Sequence, residues 1–133
     1  PWPTPAATPK PAVRALKERI EILSPILFEN DSARLLTQSR WILNEVISTI
    51  HQYPKRYEFL YIDGHTNYFA SRAHNQKLSE ARARSVKAYL VAHGIPKAHL
   101  FARGFGKDRP LYPKSDSRAI EGNRRVEFIV KKP

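Results

Sequence analysis

Apolar residues between Thr37 and Gln52 return every three or four positions, with Ile42, Val46 and Ile50 in one row and Leu43, Ile47 and Ile50 in the next. Helical geometry puts such residues on one side, so the spacing predicts an amphipathic helix that must bury a wide face. Trp41 is expected in the same core. Tyr53-Pro54 ends the segment, because a residue before proline is pushed out of the helical region. The surface that covers this face has to come from short runs rich in Ile, Leu, Val, Phe and Tyr. These are Arg19–Phe28, Tyr57–Asp63, Leu100–Phe105 and Arg125–Val130, each read as a strand. Pro25 interrupts or ends the first of them. The second carries apolar residues on both alternating faces and so reads as central. A second helix is expected over Ser79–His93, with Ser79 as N-cap, Ala83, Val86 and Leu90 as its buried face, and Gly94 past its end. Gly64–His74 and Gly106–Gly122 read as loops. The resulting order, β-α-β-α-β-β, predicts an α+β two-layer sandwich, a mixed sheet with both helices on one face.

At 133 residues the chain has room for one such core. Residues 1–12 hold five prolines and no apolar periodicity. Residues 1–18 are therefore expected to be a proline-rich tether and 19–133 the domain. The chain begins at Pro1 and contains no methionine, so it is expected to be a processed or excised piece with its targeting signal elsewhere. No apolar run is long enough to span a bilayer. Twenty-three Lys and Arg against twelve Asp and Glu give a formal charge of +11. Such a surface attracts polyanions, and charge alone does not choose among nucleic acid, anionic lipid and a carboxylate-rich cell wall.

Motifs for catalysis are missing. There is no cysteine, no G-x-S-x-G elbow, no H-E-x-x-H, and the five histidines lack metal-ligand spacing. Gly104–Lys107 resembles a phosphate loop only in its glycines and reads as a turn. The expectation is a binding module with no enzyme activity, no cofactor and no metal. Nucleic acid is not expected as a partner, since no recognised motif accompanies the charge.

Polar residues gather instead where loops meet elements. They are Gly64-His65-Thr66-Asn67, then Asn75 with Leu78, Ser79 and Arg82, and Asn123-Arg124-Arg125. Loops at the end of a packed scaffold are where ligand groups collect. Together with Phe28–Ser32 and Gly104–Pro110, these segments resemble the ordered motifs of the OmpA C-terminal family, shared by outer-membrane-protein tails, Pal-type lipoproteins and flagellar stator proteins. The family pattern runs F-x-x-x-S/A, G-H-T-D, N-x-x-L-S-x-x-R-A-x-x-V, a G-x-G…P loop and N-R-R-V, and the match covers residues 20–131.

The resemblance implies a periplasmic, envelope-associated domain that grips the peptidoglycan stem peptide without a covalent bond. An upstream membrane or lipid anchor and other envelope proteins are its further expected partners. In the family an aspartate and an arginine clamp diaminopimelate, and Arg82 occupies the arginine position. Asn75, Arg124, Thr66 and the Asp31 loop match positions lining the same pocket. The chain departs from the pattern at Asn67, where the family has the aspartate. Two readings follow: a wall anchor weakened or retuned by the lost charge, or a structural module of a secretion or motor complex that keeps only the fold. Residue by residue, alternatives also stand. Asn67 can hold its turn or touch ligand, His65 can fix its loop or touch ligand, and Arg82 can pair with Glu80 or Asp63 instead of a ligand.

Overall fold

The computed structural model describes residues 11–119 and 124–132. Strand β1 (Val13–Ala15) pairs antiparallel with β2 (Arg19–Ile22), Val13 opposite Ile22 and Ala15 opposite Ile20. Helix α1 (Arg40–Gln52) follows a 3-10 turn at Thr37–Ser39. Strand β3 (Leu60–His65), helix α2 (Arg72–Ala92), strand β4 (Leu100–Gly104) and strand β5 (Arg125–Val130) complete the order. The five strands form one mixed sheet, β1-β2-β5-β3-β4, in which β3 runs parallel to β4 and antiparallel to β5.

Period-two alternation sorts the strand residues. Ile20, Phe128 and Ile62 lie side by side across three strands, and all three are buried. They meet Ile42, Leu43, Val46, Val86 and Leu90 from the two helices in one core. The sheet is thus covered by both helices on one face, as the period analysis predicts. Its other face carries Tyr61, Asp63, Arg103 and Glu127. There Arg103 grips Asp63 through two bonds of 2.7 Å and lies 3.6 Å over the Tyr61 ring.

Several boundaries differ from the sequence reading, each for a physical reason. Val13–Ala15 falls inside the segment read as a tether, yet it is a strand, and Ala12 beside it is fully buried with its N–H donated to the Glu45 carboxylate. The rest of the proline-rich segment, residues 1–10, lies outside the described residues. Strand β2 stops at Ile22, well short of Phe28, because Pro25 cannot donate to a ladder; Phe28 makes only an isolated bridge to Leu35. Strand β3 begins at Leu60. Tyr57 is buried outside it and donates its hydroxyl to the Leu16 carbonyl, and Gly64 and His65 extend the ladder opposite Val126 and Arg125. Trp41 is 46% exposed: on a helix it shares a row with Glu45, Ser48 and Gln52, the polar side of α1.

The largest difference is at α2, which begins at Arg72, seven residues before Ser79. Its N-cap is Ser71, whose hydroxyl accepts from the His74 N–H. Ser79 is fully buried within the helix, donating to the Gln76 carbonyl and accepting from the Gly106 N–H. The buried stripe of α2 is Asn75, Ser79, Arg82, Ala83, Val86 and Leu90, polar at its first half and apolar only at its second. Apolar periodicity therefore reports half of the helix. The polar half sits over the ends of β3 and β4, where glycines let it come close. A Cβ on Gly64 would stand 2.3 Å from the Ser79 carbonyl oxygen, and one on Gly104 would stand 2.5 Å from the Glu80 nitrogen.

Candidate functional site

This close approach brings the start of α2 against the loop after β3. Residues 66–71 are tied down from both sides. Thr66 donates its N–H to the Gly106 carbonyl. The Asn75 amide donates to the Phe69 carbonyl, with the Asn67 and Ala70 carbonyls 3.5 Å away. Asn67 closes an Asx-type turn, its side-chain oxygen accepting from the Phe69 N–H at 3.1 Å.

Opposite this loop stands the segment after β2. Asp31 adopts a left-handed conformation (φ 51°), which a short polar side chain tolerates. Its carboxylate contacts His74 Nε2 at 2.6 Å, so the Asp31 turn is tethered to the first turn of α2. Between the two loops lies a cavity of about 290 Å³, lined by Asp31, Thr66, Asn67, Asn75, Arg82 and Arg124, together with Asn30, Phe69, Ala70, His74 and Leu78. All six residues singled out from the sequence thus line one cavity. Asn123, from the same motif as Arg124, lies outside the described residues.

Arg82 forms the floor. It is 6% exposed, its Nε donates to the Ser32 carbonyl at 2.8 Å, and its guanidinium lies 5.0 Å over the Phe28 ring. That Nε bond is its one hydrogen bond among the described residues. Burial, and then the neighbouring Arg124 charge, lower its pKa; Asp31 opposes both. A guanidinium stays protonated under these influences, so Arg82 remains a buried positive charge. Neither alternative partner for Arg82 holds it. Asp63 is bound to Arg103 on the far face of the sheet, and the Glu80 carboxylate accepts from Gln76.

A second cavity of about 240 Å³ shares Asn30, Arg82 and Arg124 with the first and extends to Phe28, Gly64 and His65. His65 is buried, stacks on Phe105 and reaches the Glu127 carboxylate at 3.0 Å through Nε2. That hydrogen bond, with Arg125 beside it, holds the Glu127 carboxyl down to about 2. His65 therefore ties the end of β3 to β5 and to Phe105. Its Nδ1 and the Thr66 hydroxyl are buried without a hydrogen-bond partner. The sequence reading missed His74, whose pairing with Asp31 joins segments 43 residues apart and leaves no local signal. Among the described residues no group of three His, Asp or Glu side chains could hold a metal ion, and no helix is long and apolar enough to cross a membrane.

A mixed five-stranded sheet backed by two helices is the OmpA-like fold. The chain belongs to the OmpA family, whose pattern it matches over residues 27–124. It is 32% identical to Outer membrane protein A of Shigella flexneri over 136 aligned positions, spanning 96% of this chain and 39% of that protein. It is 35% identical to the Peptidoglycan-binding protein ArfA of Mycobacterium tuberculosis over 106 positions, 80% of this chain and 32% of that protein. The chain thus spans about a third of the length of these two relatives. The peptidoglycan-associated lipoprotein of Burkholderia pseudomallei shares the fold with a TM-score of 0.67 at 22% identity, over 80% of this chain and 87% of that one.

Proposed function

We propose that the domain is a non-covalent peptidoglycan anchor whose cavity takes the diaminopimelate residue of the stem peptide. One observation carries this reading: a buried guanidinium with a single hydrogen bond faces a cavity that contains one carboxylate, Asp31, on the opposite wall. A ligand bearing both a carboxylate and an ammonium satisfies both ends. Arg82, supported by Arg124, receives the carboxylate through its planar fork. The Asp31 carboxylate oxygen that His74 does not contact receives the ammonium, with Asn67 contributing a neutral polar edge where the family pattern has an aspartate. Asn75 acts by holding the 66–71 loop in place. Relatives named an outer membrane protein and a peptidoglycan-binding protein support the same reading, as does a structural neighbour named a peptidoglycan-associated lipoprotein. The setting that fits is the periplasm, with the domain tethered to the envelope.

The alternative, a structural module of an envelope assembly, draws on the missing charge at Asn67. Charge-assisted hydrogen bonds contribute about 1.5–3 kcal/mol and neutral ones about 0.5–1.5, so an aspartate at this position is worth roughly a tenfold gain in affinity. Amide shifts of the labelled domain on adding a diaminopimelate-containing stem peptide test the choice. Saturable shifts at Asp31, Asn67, Asn75 and Arg82, reached at roughly tenfold lower concentration in Asn67→Asp, are expected. Shifts in neither chain would leave the structural module.

A further inference from the structure

Strand β4 forms one edge of the sheet, and among the described residues it pairs only with β3. Backbone groups along a strand point alternately to its two flanks. The Phe105 N–H, one residue past β4, donates to the Gly64 carbonyl, so Phe101 and Arg103 also turn their backbone toward β3. Leu100, Ala102 and Gly104 therefore turn theirs outward. The Leu100 N–H is taken by the Lys97 carbonyl and the Gly104 carbonyl by the Gln76 amide, which caps the two ends of the edge. Between them the Ala102 N–H and C=O face out. Edge strands are commonly blunted by a proline, a bulge or a charge. Leu100–Gly104 has no proline, and its one charge, Arg103, is held by Asp63 on the far face of the sheet.

A cleft of about 760 Å³ runs between this strand and α2. Its apolar lining is small, Ala88, Val91, Ala92 and Ala102, so another backbone can come close. Its cations Arg84, Lys87 and Lys97 pair with no carboxylate among the described residues, and its single acid, Glu80, accepts from Gln76. The α2 residues of the cleft recur at helical spacing in a row of their own. Arg84 lies two residues beyond Arg82 and so about 200° around the helix from it. This row adds nothing to the core, since Arg84, Ala88 and Ala92 are exposed.

We propose that this edge docks an acidic, extended segment of a partner protein, which joins the five-stranded sheet beside β4 and sets its carboxylates against Arg84, Lys87 and Lys97. Backbone bonds to Ala102 align the segment, and the three cations select its charge. A second copy of the chain fits poorly, because pairing β4 with itself brings the same cations together. Residues 1–12 fit poorly too: they hold no carboxylate, and their five prolines lack the N–H that a ladder needs. The inference is independent of the stem-peptide reading, whose arginine lies on another row of α2.

The test uses the whole labelled chain and a blocked peptide of alternating glutamate and valine, about eight residues long, with alternating lysine and valine as control. The acidic peptide is expected to give saturable amide shifts along Leu100–Gly104 and at Arg84 and Lys87. At saturation, hydrogen exchange of the Ala102 N–H should slow about tenfold. Arg84→Glu combined with Lys87→Glu should weaken binding about tenfold, with melting temperature and stem-peptide affinity unchanged. Shifts at the cations without slower exchange at Ala102 would mean simple polyanion attraction and would overturn the inference. Equal binding of the lysine peptide, or no binding of either, would overturn it as well. So would a dimer of the chain that protects Ala102 without peptide, since the edge would then belong to a second copy.

Discussion

Replacing Gly64 with alanine tests how the site is assembled. The added Cβ would lie 2.3 Å from the Ser79 carbonyl oxygen and 3.1 Å from its carbon, whereas ordinary contact begins at 3.4 Å. Both neighbours are helix backbone, so no side chain can swing aside. Helix α2 must retreat from β3 by about 1 Å, and overpacking of this kind costs about 1–3 kcal/mol, with rigid neighbours at the upper end. For a domain of this size a loss near 3 kcal/mol lowers the melting temperature by roughly 10–15 °C. Retreat also separates Arg82 and Asn75 from the 66–71 loop, so stem-peptide affinity should fall together with stability. Gly94→Ala is the control. Its φ of +99° makes alanine strained, but nothing lies within 4 Å, so the cost should be about 1–2 kcal/mol with ligand affinity unchanged. Thermal and urea denaturation of both variants give the comparison. A Gly64→Ala domain within about 0.5 kcal/mol of native would refute the argument that backbone contact at this glycine sets the helix position.

Three further outcomes follow from the same geometry. Ser79→Ala leaves the Gly106 N–H buried without its acceptor, so urea denaturation should show a loss of about 1–3 kcal/mol. Glu127 is held down to about 2 from an ordinary 4.5 by the His65 hydrogen bond and Arg125. Because its folded value is the lower one, its contribution is complete above about pH 4.5 and is lost as pH falls through about 2, amounting to about 1–2 kcal/mol once solvent screening of this partly exposed group is counted. Denaturation series across that window should show a decline that Glu127→Gln flattens. Tyr57→Phe removes the hydroxyl bond to Leu16 that ties the β1–β2 connection to the core, at a cost of about 1 kcal/mol.

Period and chemistry were readable in unequal measure. Helix α1 and strand β5 declare themselves, since Ile42, Val46 and Ile50, and then Val126 and Phe128, keep one period and end up buried. Strand β1 does not, because three residues beside a proline-rich segment carry too little pattern to register. The start of α2 is hidden for a different reason. Its inward residues there are Asn75, Ser79 and Arg82, and a search for apolar spacing passes over a stripe that turns polar to serve a site. Asn75 and Arg82 became legible through polar clustering and family resemblance, whereas Ser79 reads as an N-cap and is instead buried mid-helix. Pairings such as Asp63 with Arg103, or Asp31 with His74, depend on parallel strand register and on loops meeting across a cavity, which no local window contains.

The most direct test of the account is the dissociation constant of a diaminopimelate-containing stem peptide, measured by calorimetry for the native chain, Arg82→Lys and Arg82→Ala. Lysine keeps the charge but loses the planar fork, and alanine loses both. Saturable one-to-one binding is expected for the native domain, weakened in the lysine variant and weakened by about 2 kcal/mol or more in the alanine variant. The melting transitions of all three should remain cooperative. A native chain that binds nothing, or an Arg82→Ala variant that stays folded and binds as tightly as native, would contradict the claim that this buried arginine receives the stem peptide.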